Sequence, residues 1–182
     1  METQTKQTTW AIDPVHTKIR FDAKYLLITA VSGWFREFEG IVVSENNDFS
    51  NCNIQLTIYT QSLYTGNEER DNHLRSADFF DTKQYPTIQF TSTSVSVQNG
   101  DIHIKGLLSV KDVEQEFAFT ARFLGSCSDP LGNIKAGFEM DAVLNRKDFH
   151  INWNQWFDTN GLLLSDEVKV HCDLQLLKLS NK

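Results

Sequence analysis

The chain has little of several things, and each shortage excludes a class of protein. It has three cysteines, Cys52, Cys127 and Cys172, an odd number at wide spacing with no Cys-x-x-Cys. That excludes a disulfide-stapled scaffold and a zinc ribbon, and the cysteines read as small buried hydrophobes in a reducing compartment. Proline and glycine are scarce, at three and nine residues, which leaves no composition for a long disordered linker. Positive charge is short too. The 17 Lys and Arg stand against 24 Asp and Glu, for a net charge of −7 and no basic stripe. Such a surface repels phosphate backbones and anionic headgroups, so no nucleic-acid partner and no stable membrane insertion are expected. The longest near-apolar run, "YLLITAV" at 25–31, is far shorter than the ~20 residues of a membrane span. The opening "METQTKQTTW" lacks the apolar stretch and cleavage pattern of a secretory signal, so the expected location is the cytoplasm.

Catalytic signatures are missing as well. There is no Gly-x-Ser-x-Gly, no phosphate-cradling glycine loop and no dinucleotide fingerprint. The histidines at 16, 73, 103, 150 and 171 lack His-x-x-x-His spacing. Asp71 and His73 stand too close in sequence to face one another on a helix. No catalytic residue, metal ligand or cofactor site is expected, and the protein is read as a non-enzyme.

What is present is alternation. Ile19, Phe21 and Ala23 alternate with polar residues, as do Ile54, Leu56 and Ile58, and Ile88 and Phe90. The pattern continues through Ile102, Ile104, Leu108 and Val110, and through Phe117, Phe119 and Phe123. It ends with Ala136 to Leu144 and Val168 to Leu176. Each is a strand with one wet and one apolar face. With a further strand in "GWFREFEGIVVS", the count is about eight. Turn chemistry joins them, with Asn99-Gly100 the strongest hairpin signal. No long amphipathic helices separate the strands, so the sheet is antiparallel. A sandwich and a barrel both satisfy eight one-sided strands. The long runs at 134–148 and 166–179 favour an all-β, eight-stranded antiparallel barrel, whose interior holds side chains or one slim ligand. Residues 1–9 are expected to form a flexible N-terminus and 10–179 a single domain.

One insert breaks the alternation. In "TGNEERDNHLRSADFF", Asn67 can cap a helix, Glu68 and Glu69 suit its first turn, and Leu74, Ala77 and Phe80 recur at helical spacing. Tyr85-Pro86 ends it. A short helix near residues 67–81 is expected at an open end of the barrel, with Leu74, Phe79 and Phe80 as an apolar plug. Arg70, Asp71, His73, Arg75 and Asp78 then form either a solvated face or an ion-pair network.

These segments resemble the YceI-like family of lipocalin-like, polyisoprenoid-binding proteins. The resemblance runs from Trp10 to Leu176, through "WAIDPVHTKIRF", "VSGWFREFEG", "RDNHLRSADFF…YPTIQF", "IKGLLSV", "NRKDFHINWN" and "LSDEVKVHCDLQL". It implies a barrel around an apolar tunnel that holds the prenyl chain of a quinone or a polyprenyl phosphate, for carriage, storage or sensing. It also implies a homodimer. Alternatives are a stress-related interaction protein with a filled core, or a binder of fatty acid or fatty amide. The expected tunnel lining is Phe21, Phe35, Phe38, Ile54, Leu56, Ile58, Phe90, Ile104, Phe119, Phe138 and Met140. His16, Arg70, His73 and Arg146 are candidates at the mouth, with structural hydrogen bonding ranked ahead of headgroup contact. Trp153, Trp156 and Phe157 are expected at the mouth or in a dimer patch. Three departures from the family pattern stand out: Tyr25 in place of a histidine, "DVEQEF" at 112–117, and His150 in place of a glycine. The first and third are expected to alter the mouth, the second only a loop.

Overall fold

The computed structural model describes residues 7–26, 28–45, 48–155 and 163–180. Its strands are β1 (Gln7–Ile12), β2 (Lys18–Tyr25), β3 (Thr29–Phe35), β4 (Phe38–Glu45), β5 (Asp48–Tyr59) and β6 (Leu63–Tyr64). After helix α1 (Glu68–Arg75) come β7 (Thr87–Gln98), β8 (Asp101–Val110), β9 (Val113–Ser128), β10 (Ile134–Asn145) and β11 (Leu164–Lys178).

The last strand closes the ring. β11 pairs with both β1 and β2, with Leu176 opposite Ile12 and Asp173 opposite Lys18. β1 and β2 are therefore two lengths of one wall strand, interrupted by the turn at 13–17. β4 and β3 pair with them in the same way and break only at Arg36 and Glu37. β5 and β6 form a third such strand around a 3-10 turn at Thr60–Ser62. Counted so, the wall is a closed, antiparallel, 8-stranded barrel. Closure removes most of the free edge that could recruit another chain, although β3 meets β6 only at Trp34 and Phe35.

Alternation sets the register. On β8, Ile102, Ile104, Gly106, Leu108 and Val110 are buried, while Asp101, Lys105 and Leu107 are exposed. A slip by one residue would turn that whole set to water. Asn99 and Gly100 both adopt positive φ, 54° and 90°, as the tight hairpin joining β7 to β8 requires. Two expectations need correction. Gln7, Thr8 and Thr9 are not frayed but pair with Glu45, Ser44 and Val43, where main-chain hydrogen bonds outweigh the polarity of their side chains. Cys52 and Cys172 are buried, but Cys127 is exposed near the β9–β10 hairpin.

The helix forms where the cap and acidic first turn place it. The Arg70 N–H donates to Asn67 Oδ1 at 2.9 Å. Helix and following turns lie over the end of the barrel where β6 stops and β7 starts. The opposite end is closed by rings. Phe49 lies 5.3 Å from Trp10 and 4.9 Å from Phe138, and Phe123 lies 5.2 Å from Phe138, centroid to centroid.

Candidate functional site: an apolar cavity beneath the helix

Between the helix and mid-barrel lies a cavity of about 650 Å³. Its walls come from inward positions on every side. β2 gives Ile19, Phe21 and Ala23; β3 gives Val31 and Phe35; β5 gives Leu56 and Ile58; β7 gives Ile88 and Phe90. β8 adds Leu108 and Val110, β9 Phe117 and Phe119, β10 Met140 and Leu144, and β11 Val168, Val170 and Cys172. Leu74, Phe79 and Phe80 form the roof. Burial pushes the Cys172 thiol up to about 12, so it stays protonated and acts as a small hydrophobe.

Two glycines keep this space open. A Cβ on Gly33 would overlap the tip of the Phe21 ring, whose Cε atoms lie 2.8 Å from that position. A Cβ on Gly106 would strike the Phe90 ring and the Thr91 carbonyl. Both rings therefore lie back against bare backbone instead of standing out into the cavity.

The polar groups at the mouth are tied to the protein. Arg146 is buried, and its guanidinium donates to the carbonyls of Ser165 at 2.9 Å and of Ile151 and Trp153 at 2.7 Å. It ties the segment at Ile151 and Trp153 to the start of β11 at Ser165. Burial lowers its pKa from the ordinary arginine value, against the pull of Asp166. Arg70 donates through Nε to Thr65 Oγ1 (2.7 Å) and through Nη2 to the Thr65 carbonyl (3.0 Å). Buried Asp71 accepts from the Thr65 N–H at 2.8 Å. Arg75 holds the carbonyls of Gln61 and Leu63. Arg70, Asp71 and Arg75 thus satisfy backbone groups of the incoming strand rather than pairing with one another. His73 Nε2 pairs with Asp78 at 2.9 Å, and its ring stands edge-on to Trp153.

Of the expected lining, Phe21, Phe35, Leu56, Ile58, Phe90, Phe119 and Met140 line the cavity. Phe38, Ile54, Ile104 and Phe138 do not; they belong to the packed core around and below it. Their parity is inward, but parity fixes the face and not the height along the barrel. Arg70, His73, Leu74, Phe79, Phe80 and Arg146 all border the cavity. His16 does not. It sits in the exposed turn between β1 and β2 and bonds Asp13 Oδ2 at 2.9 Å. Asp13 also accepts from Lys135 Nζ (3.0 Å), Gln175 Nε2 (2.8 Å) and the Val15 N–H (3.1 Å), so the "IDPVH" segment pins a turn.

Trp153 lies at the mouth; Trp156 and Phe157 fall outside the described residues. Tyr25 borders the cavity, but His150 does not. His150 adopts a left-handed φ of 56°, the conformation that favours the glycine it replaces, and its Nδ1 meets Asp112 Oδ2 at 3.0 Å. Two departures from the family pattern therefore touch each other. On the outer face, Glu139, His171 and Asp173 come close enough to share a metal ion. Sequence spacing hid this cluster because its members stand on adjacent strands, with Glu139 opposite Asp173. Glu139 is paired with Arg122, and His171 with Asp141 at 2.7 Å.

Known proteins share this sequence pattern and fold. The profile of the YceI-like domain fits residues 10–176. A UPF0312 protein of Staphylococcus aureus strain MSSA476 is 35% identical over 163 residues, 89% of this chain and 93% of the relative. Among solved structures, the Campylobacter jejuni YCEI protein superposes with a TM-score of 0.71 at 26% identity, covering 86% of this chain and 90% of that one. Burkholderia cenocepacia BcnA gives 0.78 at 20% identity, over 90% and 98% of the two chains. A polyisoprenoid binding domain from Saccharophagus degradans, implicated in plant cell wall breakdown, gives 0.67 at 14%, over 93% and 98%. The last two likenesses concern the fold alone. A profile that fits almost the whole barrel, together with a relative at more than a third identity, shows that this chain belongs to the YceI-like family.

Proposed function

We propose that the barrel is a non-catalytic carrier or store for a linear isoprenoid lipid, whose chain occupies the cavity and whose polar end stays at the mouth under α1. The observation that carries this reading is the cavity itself. A filled-core interaction protein has no use for 650 Å³ of apolar space, nor for glycines that hold phenylalanine rings out of it. A prenyl chain has no hydrogen-bonding groups and needs only dry walls. Headgroup contact falls to the exposed rim of Tyr25, Asn67, Glu69 and Arg70 and to half-buried His73, because Arg146 is already committed to three carbonyls. A quinone or phosphate terminus and a second copy of the chain complete the proposal.

The energetics suffice. At about 30 Å³ per CH₂-sized group, the liquid share of a water molecule, the cavity holds about 20 carbons. At about 0.3 kcal/mol per atom net of ordering, the bound for drug-sized ligands, that gives about 6 kcal/mol, a Kd in the tens of micromolar. The test is to purify the protein without detergent, denature it, extract with organic solvent and run mass spectrometry. A stoichiometric isoprenoid is expected. Phe90→Glu and Phe119→Glu should each abolish uptake while circular dichroism shows a folded barrel. An empty extract that stays empty after incubation with polyprenyl quinones and phosphates would overturn the proposal.

A further inference from the structure

Followed away from the helix, the cavity stops at one level. Its lowest wall residues include Leu56, Phe90, Phe119, Met140 and Cys172, and register sets several side by side: Leu56 faces Phe90, and Met140 faces Cys172. The next inward residue on β5, β9, β10 and β11 is Ile54, Ala121, Phe138 and Leu174, and none of these borders the cavity. Phe138 is buried, with its ring edge-on to Phe49 and tilted against Phe123, and Trp10 lies beyond. Below this floor lie buried side chains, among them Val42, Cys52, Val95, Ile102 and Ala136.

We infer that the floor is a length limit. The cavity takes a linear isoprenoid of about four units, the chain that fills it at ~30 Å³ per carbon group, in preference to long polyprenyl chains. This rests on the isoprenoid reading above and adds which isoprenoids fit. A chain twice that length has two options. It can displace Phe138 from its ring contacts, which a close-packed interior resists. Otherwise half of it hangs from the mouth in water, where it gains nothing, because hydrophobic stabilisation follows area removed from water. A bilayer buries the whole of a long chain, so in competition with a membrane the long chain stays behind and the short one transfers.

The experiment is that competition. Delipidated protein is incubated with phosphatidylcholine vesicles carrying equal amounts of geranylgeraniol and solanesol, alcohols of four and nine isoprene units. Protein is recovered by gel filtration, and each alcohol is quantified in the protein and vesicle fractions. The protein-to-vesicle ratio should be at least tenfold higher for geranylgeraniol. Phe138→Ala, and independently Leu174→Ala, should raise the solanesol ratio at least threefold relative to geranylgeraniol in whichever variant circular dichroism shows to be folded. Equal or better capture of solanesol by the unmodified protein overturns the limit and leaves the isoprenoid reading standing. Folded floor variants that keep the original ratio also overturn it. Capture of neither alcohol removes the isoprenoid reading and the limit with it.

Discussion

Replacing Gly33 by alanine should leave the barrel stable and shrink its cavity. The three heavy atoms nearest the new methyl all belong to the Phe21 ring. That ring must back off by about 1 Å to reach a relaxed carbon contact of ~3.5 Å. Gly33 stands behind the ring on β3, so the ring moves into the cavity that Phe21 lines. The swept volume is between one and two CH₂-sized groups of about 30 Å³. At about 0.8 kcal/mol per group, affinity for a filling ligand falls by about 0.8–1.6 kcal/mol, or roughly fourfold to fifteenfold. Global stability should change by less than ~1 kcal/mol, because alanine gains about what glycine loses in strand entropy, against modest crowding. Displacement of a fluorescent apolar probe by geranylgeraniol measures the first quantity, and urea unfolding the second. Phe21→Leu in the Gly33→Ala background should restore most of the affinity. Unchanged binding by the folded single variant, or no recovery in the double variant, would refute the view that bare backbone behind Phe21 holds the cavity open.

Arg146→Lys removes a planar fork that serves three carbonyls, and should cost about 3 kcal/mol, or roughly 10 °C in Tm. A loss under 1 kcal/mol by calorimetry would show that water replaces it freely. Asp13 is held below its ordinary 3.8: burial alone would raise it, but Lys135, His16, Gln175 and the Val15 N–H outweigh that. Its folded pKa therefore lies below its unfolded one, so its contribution is complete above about pH 4 and is lost as the pH falls further. Asp13→Asn should be less stable at neutral pH by about 2 kcal/mol, and its unfolding free energy should fall less steeply than that of the unmodified protein below pH 4. Parallel slopes in urea titrations at stepped pH would count against this.

The barrel was legible because it is written in the simplest code a chain has. Alternation at Ile102–Val110 or Ala136–Leu144 fixes which side of the sheet each residue occupies, and Asn99-Gly100 fixes where the chain reverses. The cap at Asn67 showed the helix for the same reason: the signal is local. Height along the barrel is not local. Phe138 and Met140 share a strand and a parity, yet one is floor and the other wall, because the boundary depends on how Phe49, Phe123 and Trp10 converge from three other strands. His16 misled for a related reason. A histidine beside an Asp-Pro turn reads as exposed and polar, but only the closure of β1 and β2 on β11 shows that the turn lies partway along the wall, away from the mouth. Nor can spacing reveal that His150 tolerates a glycine's conformation with its ring on Asp112.

Because β1 and β11 lie side by side, the described chain enters and leaves the wall at neighbouring positions. The Leu179 N–H donates to the Thr9 carbonyl at 2.8 Å, at the ring-closed end and on the far side from α1. A molecule fastened through either end to a bead, a chip or a fusion partner would hold its opening outward, free to meet a membrane or a second carrier. A tether placed in the loops around the helix would cover the face at which the cavity opens. Orientation on a surface is thus set by the same strand pairing that closes the wall.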